Sequence, residues 1–255
     1  METEEKQDEV GFDALAQQEE RRRIMEQPTT VEESQSNETS EDESRVQEKL
    51  AKILNDTSGQ EAILEYISFS SKRIERLHLR ESNYAFLHLV EPLLRDKNVL
   101  DLFCGTNSLK QFSEQRNLGT TVTGVDNGRD NIYNDIESDV INLPTVLPPD
   151  GQFDIVTSFG GTESENYSND CQYLKENGLL ILGYSDSAFK ESLGSQLGVE
   201  GGGKPEQLYR YFRPVAQINV NGIHVIADWP GQERPIDFKN NMVYLVLRKI
   251  DKVKV

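Results

Sequence analysis

Three short segments of this 255-residue chain carry side chains suited to holding or activating a ligand, and each lies where an apolar run ends. VLDLFCGTNSL contains Asp101 and then Phe103, Cys104, Gly105 and Asn107; VTGVDNG ends on Asp126 and Asn127; FDIVTSFGG leads into TESENY, with Glu163, Glu165 and Tyr167. A short carboxylate fixed at a strand end accepts two hydroxyl donors at once. A glycine in the turn after a strand lets backbone approach a ligand closely, and a helix starting near Ser108 offers its N–H groups to negative charge. No Lys-Ser/Thr pair follows Gly105, which argues against a triphosphate-cradling GxxxxGK[ST] loop, and the spacing is not GxGxxG either. His78, His88, His224 and Trp229 are scattered singly, so no metal site is expected from them. Cys104 and Cys171 are too few for a disulfide framework, and Cys104 reads as a small packed residue rather than a reactive thiol.

Positioning such residues at strand ends requires a sheet, and from Lys97 the chain alternates apolar strand candidates with crossovers. NVLDLF (98–103), TTVTGVD (120–126), FDIVTSF (153–159) and GLLILGY (178–184) predict short buried strands of a parallel, doubly wound sheet. Ligands of such sheets bind at the carboxyl ends of the strands. AQINVNGIHVIADW and NMVYLVLRKI are β-rich with no helix between them, which predicts an antiparallel C-terminal pair joined through PGQERPIDFKN, with an extra tight turn at Asn221-Gly222. Upstream, Val46, Leu50, Ile53 and Leu54 recur at helical spacing; AILEYISFSSKRIERL reads as a second helix, and SNYAFLHLVEPLLRD as a third, capped by Ser82 and interrupted at Pro92.

Residues 1–44 hold 15 acidic against 4 basic residues, most of the chain's formal net charge of -17, and include one aromatic, Phe12. Such a composition cannot offset its ordering entropy, so 1–44 is read as a disordered acidic tail and 45–255 as the α/β domain with its N-terminal helices. A short helix within GFDALAQQEERRRIME is the one local structure the tail's pattern suggests. The negative charge disfavours a nucleic acid or an anionic membrane as partner. No opening apolar run and no stretch of about 20 apolar residues is present, so the expectation is a cytoplasmic protein.

In order and spacing these segments resemble the class I S-adenosylmethionine-dependent methyltransferases. VLDLFCGTNSL is similar to that family's first motif, a strand ending D-x-x-x-G-x-G, and VTGVDNG to its second; DVINLP (139–144) is similar to the adenine-contacting segment, FDIVTSFGG to the fourth strand and LKENGLLILG to the fifth. The resemblance runs over residues 99–184 and extends to the terminal antiparallel pair. It implies a mostly parallel seven-stranded sheet in the order 3-2-1-4-5-7-6 with S-adenosylmethionine over strands 1 to 3. Carried onto this chain, it implies that Asp101 helps hold the methionine ammonium end, that the Cys104 to Asn107 loop wraps the methionyl part with Phe103 also at the cofactor, and that Asp126, with Asn127 beside it, accepts the ribose hydroxyls. Asp139 would meet the adenine amino group with Val140 in apolar contact, and Asp135 is the competing acid in this register.

The chain departs from the family at Asn107, where glycine is usual. Asparagine tolerates positive φ better than other non-glycine residues, so the turn is expected to persist with the side chain projecting toward the ligand, and replacing it by glycine is expected to keep or improve binding. After the fourth strand the sequence lacks the Asp/Asn-Pro-Pro-aromatic signature of enzymes that methylate nucleic-acid amino groups. A small molecule or a protein is therefore the expected methyl acceptor, with Glu163 and Tyr167, and next to them Glu165, as the residues to deprotonate or orient it. LGVEGGGKPEQLYRYF, with a short helix from Pro205, reads as a lid or a flexible connection. The other function class left open is a non-catalytic relative, a binding or scaffolding module whose acidic tail recruits a protein partner.

Overall fold

A computed structural model of the chain describes residues 37–55, 64–70, 77–78, 83–128, 134–159, 167–192, 208–227 and 236–250. In chain order the elements are helix α1 (Asn37–Asn55), strands β1 (Glu65–Ser70) and β2 (Leu77–His78), α2 (Tyr84–Leu94), β3 (Asn98–Leu102), α3 (Ser108–Gln115), β4 (Thr121–Asp126), β5 (Ile136–Glu137), α4 (Leu143–Val146), β6 (Phe153–Phe159), α5 (Tyr167–Tyr173), β7 (Leu174–Ser185), α6 (Asp186–Ser192), β8 (Phe212–Ala227) and β9 (Ile236–Lys249). They build one sheet in the order β1-β8-β9-β7-β6-β3-β4-β5, with β2 pairing farther along β8. Among the described residues only the β7–β9 and β8–β9 pairings are antiparallel. Counted from Asn98, the strands lie in the order 3-2-1-4-5-7-6, as the methyltransferase resemblance implies, and β1 and β2 add to the β8 edge.

Strands flanked on both sides bury both faces and read as continuous apolar runs. One face of the sheet packs Val99, Val122, Ile155, Ile181, Ile218 and Tyr244 beneath residues of α1, α2 and α3; the other gathers Leu100, Leu102, Val125, Val156, Leu182 and Leu245. Phe86 of α2 stacks on Tyr244 with ring centroids 3.8 Å apart and planes 9° from parallel, and the Tyr244 hydroxyl donates to Asn83 Oδ1 at 2.8 Å. Buried Glu91 joins Arg95 (2.6 Å) to Arg116 (2.9 Å), tying the end of α2 to the residue that closes α3.

The structure corrects the reading upstream of Lys97. Within AILEYISFSSKRIERL, residues 65–70 form β1, not a helix: Ile67 is buried and Phe69 half-buried while Tyr66 and Ser68 face outward, a period of two that pairs in parallel with β8 from Glu65↔Ala216 to Ser70↔Asn221. Pro92 does not interrupt α2, which continues to Leu94. Proline has no N–H to give the carbonyl four residues back, and that carbonyl, on His88, instead accepts Gln47 Nε2 of α1 at 3.0 Å. The N-cap position of α2 is Asn83; Ser82 lies outside the described residues. The α1 helix begins at Asn37, inside the segment read as tail. The proposed helix at 11–26 lies outside the described residues.

Asn221-Gly222 makes no reversal. β8 runs through it with a register shift between Val220 and Ile223, a bulge that Asn241 Oδ1 holds by accepting the Gly222 N–H at 3.0 Å. β9 starts at Ile236, so part of PGQERPIDFKN is strand. The third strand of the resemblance is the two-residue β5, which no pattern in the sequence marks. Among the described residues no helix is long and apolar enough to cross a membrane.

Candidate functional site

The chain leaves β3 toward β4 and β5 on one side and returns to β6 on the other, so the strand order reverses beside β3. A sheet of this kind opens a crevice at the carboxyl ends of the strands where the order reverses. Asp101 stands there, one residue before the end of β3, level with Gly124 of β4 and Thr157 of β6. Its side chain is 3% exposed, and Oδ1 accepts the Thr157 hydroxyl at 2.6 Å. Burial pushes its carboxyl up to about 7, against the Thr157 hydrogen bond and with a smaller contribution from the negative charge of Asp126. A cation brought beside Asp101 restores the ionised form.

The turn after β3 has three positive φ values at alternate residues: Phe103 at 56°, Gly105 at 54° and Asn107 at 57°. For a non-glycine residue this region costs about 1–2 kcal/mol, so the conformation at Phe103 and Asn107 is maintained by its surroundings. Asp126, at the end of β4, supplies part of that restraint. Its Oδ2 accepts the Gly105 N–H at 2.9 Å and its Oδ1 the Gly128 N–H at 2.9 Å. Each carboxylate oxygen has two lone-pair sites, so one backbone N–H on each leaves capacity for one further donor on each. A Cβ added at Gly105 would meet nothing within 4 Å, which places open space beside the turn.

The apolar side of this crevice is formed by Phe103, Ile136 and Val140, all half-buried against the same cluster as Leu102 and Val125. Asp139 is exposed; its carbonyl accepts the Ser138 hydroxyl (3.0 Å) and the Asn142 N–H (2.8 Å), which starts a 3-10 turn at Val140–Asn142. Asn127 is exposed next to Asp126. Asp135 has a different role from Asp139: its carboxylate accepts the Gly124 N–H at 2.8 Å and pairs with Lys110 Nζ at 2.6 Å. These partners and Asn107 hold its carboxyl below the usual carboxylate range in spite of partial burial.

One position differs from the sequence reading. The Asn107 side chain does not project toward the crevice: it is 2% exposed and packs on Gly124, with Nδ2 only 2.6 Å from where a Cβ at 124 would sit. Its left-handed backbone is as expected. Cys104 is buried, and desolvation together with the charges of Asp101, Asp126 and Asp135 pushes its thiol up to about 12, so it stays protonated and unreactive. Thr157 and Ile136 are site residues that the sequence reading missed. Thr157 carried a signal in its place at the carboxyl end of a clear strand; Ile136 carried none. Glu163 and Glu165 lie outside the described residues, as does the Tyr167 side chain at the start of α5. Among the described residues no group of three or more His, Cys, Asp and Glu is placed to hold a metal ion.

No protein-family model matches the chain, and no curated protein matches it. Among solved structures it is similar to a SAM-dependent methyltransferase from Archaeoglobus fulgidus, at 18% identity and TM-score 0.45 over 67% of this chain and 94% of that one. It is similar also to a putative methyltransferase from Bacillus halodurans, at 15% identity and TM-score 0.42 over 67% of this chain and 100% of that one. A third is the 16S rRNA (adenine(1408)-N(1))-methyltransferase of Catenulisporales acidiphilia with cosubstrate SAM, at 11% identity and TM-score 0.41 over 65% of this chain and 91% of that one.

Proposed function

We propose that the chain is an S-adenosylmethionine-dependent methyltransferase acting on a small-molecule or protein acceptor. The observation that carries this reading is Asp126, a carboxylate at the end of β4 that restrains the turn after β3 through Gly105 and keeps one acceptor site free on each oxygen. A pair of vicinal hydroxyls is the donor set such a group fits. The bound cofactor would supply a methyl group already activated by its sulfonium charge.

This chain's residues would bind and orient it. Asp101 sets a buried carboxylate against the positive end, Cys104 to Asn107 surround the methionyl chain, and Asp126, with Asn127, takes the ribose. Val140 and Phe103 cover the adenine, with Asp139 at its amino group. Glu163 and Tyr167 follow β6 and are the proposed groups for orienting or deprotonating the acceptor; alignment of the two reacting atoms is the larger share of such catalysis. The absence of an Asp/Asn-Pro-Pro-aromatic run after β6 and a net charge of -17 support an acceptor other than a nucleic-acid amino group.

Calorimetric titration of the purified chain with S-adenosylmethionine tests the reading. Asp126→Ala should weaken binding roughly ten- to hundredfold, the effect of losing hydrogen bonds to a charged acceptor, while circular dichroism remains that of the parent. Asp126→Asn, which keeps the shape and loses the charge, should fall between the two. Labelled methyl transfer into a fractionated cell extract then separates an enzyme from a binding module. A parent chain that fails to bind at millimolar cofactor overturns the proposal.

A further inference from the structure

Where the methyltransferase resemblance has glycine, this chain has Asn107, and the space that the asparagine side chain needs exists because residue 124 on the neighbouring strand is itself glycine. A Cβ at Gly124 would stand 2.6 Å from Asn107 Nδ2, 3.0 Å from Asn107 Cγ and 2.9 Å from Cys104 Sγ. The Gly124 N–H donates to Asp135 Oδ2 at 2.8 Å, the Asp135 N–H donates to the Gly124 carbonyl at 2.9 Å, and Lys110 on the first turn of α3 closes on Asp135 Oδ1 at 2.6 Å. The Asn107 side chain hydrogen-bonds the same carboxylate. Four parts of the molecule meet there: the turn after β3, the start of α3, the middle of β4 and the residue preceding β5.

We infer that Asn107 and Asp135 are positioning residues, a side-chain clasp that fastens the far end of the 103–107 turn to β4 and so presets the backbone that faces the ligand. The turn is then held at both ends of its variable part: Asp126 grips Gly105 from the crevice side, and Asp135 grips Asn107 from behind. A glycine at 107 adopts the same φ without strain, but it leaves Asp135 one donor short and opens a void against Gly124. The expected direction of Asn107→Gly is therefore reversed from that of the sequence reading. The substitution weakens cofactor binding, because a turn that must be ordered on binding lowers affinity.

This inference rests on the proposed cofactor site, and the test separates the two. Asn107→Asp keeps a residue that tolerates positive φ but removes the donor and sets carboxylate against carboxylate. Asp135→Asn in the same molecule removes the charge opposition and offers a donor to the carboxylate at 107, while its amide nitrogen replaces an oxygen that accepted either the Gly124 N–H or Lys110 Nζ. The expected result is that Asn107→Asp lowers S-adenosylmethionine affinity about tenfold or more, and that Asn107→Asp/Asp135→Asn recovers part of that loss, binding about threefold or more tighter than the single variant. Methylthioadenosine, which lacks the methionyl carboxylate and ammonium, should lose less than about threefold with Asn107→Asp, whereas a general loss of structure would weaken both ligands alike. A single variant that binds like the parent, or a double variant no better than the single, overturns the clasp. If the parent itself binds neither ligand, the cofactor proposal fails and the positioning role with it; thermal midpoints of the four proteins then show separately whether residues 107 and 135 are coupled in the fold.

Discussion

The two ends of the sheet are built on different terms. At β3 and β4, the carboxyl ends carry Asp101, Asp126 and the Asp135 contact within one strand spacing, and the connecting turn holds Phe103 and Asn107 in the left-handed region. At β7, β9 and β8 the pairing is long: between β7 and β9 it is unbroken across seven paired residues from Leu179↔Arg248 to Ser185↔Met242, and between β8 and β9 it shifts register twice. Most of the interior there is apolar, with Phe86 stacked on Tyr244 and Phe159 edge-on to both, although Gln217 and Arg248 are buried in it as well. Buried acid and strained backbone both cost free energy, and the first region has the two together. The second region supplies the offset, which is the arrangement expected when a site is kept ready for a ligand.

Removing packing from the second region should give the largest effect. Phe86→Ala deletes a fully buried ring from the aromatic stack and should cost about 3–5 kcal/mol in chemical denaturation. Cofactor affinity measured on the folded fraction should stay within about twofold, because the ring packs on Tyr244 and Phe159 rather than on the residues proposed to hold the cofactor. A large affinity loss with little loss of stability would mean that the aromatic cluster belongs to the site, and the contrast between the regions would collapse.

The opposite sign is expected at Asp101. Its carboxyl is raised to about 7 in the folded chain against an ordinary 3.8, so the folded state binds the extra proton between those values and stability from this group falls as pH rises through that window. Asp101→Asn removes the titration. Its stability relative to the parent should grow by about 3 kcal/mol between pH 5 and pH 8 in the absence of ligand, while cofactor binding is lost. Urea unfolding of both proteins at the two pH values measures the difference. A gap that does not change with pH would mean that water reaches Asp101 and that no free energy is stored there.

The same contrast explains what the sequence disclosed. β3, β4 and β6 were readable to within a residue at each end because a strand buried on both faces writes an uninterrupted apolar run, and the acids that follow are then located by arithmetic. Asp101 and Asp126 were legible for that reason. β1 was not: its partner β8 lies far along the chain, and Ile67 and Phe69 alternate with Tyr66 and Ser68 in a run that also satisfies a helical spacing. β5, at two residues, is too short to carry a period. Thr157 and the direction of the Asn107 side chain depend on register between strands, since one requires that β6 set residue 157 level with Asp101 and the other that β4 set a glycine beside the turn.

The smallest expected effect is also the one that most directly joins the stored charge to ligand binding. A positively charged ligand end prefers Asp101 ionised, and in the free chain that ionisation is centred near pH 7. Below that value each bound ligand must displace a proton, so affinity should fall by up to about tenfold for each pH unit below 7 and level off above it. Thr157 donates to Asp101 Oδ1 and favours the ionised form; Thr157→Val should therefore shift the bend in the profile upward. Asp126→Ala should lower the whole curve while keeping a bend, because Asp126 contributes to the Asp101 shift only after desolvation and Thr157. Calorimetry from pH 5.5 to pH 8.5 on the three proteins reads out these positions. A flat profile in the parent would assign Asp101 to the fold alone, and the ligand's positive end would have to be met by another group.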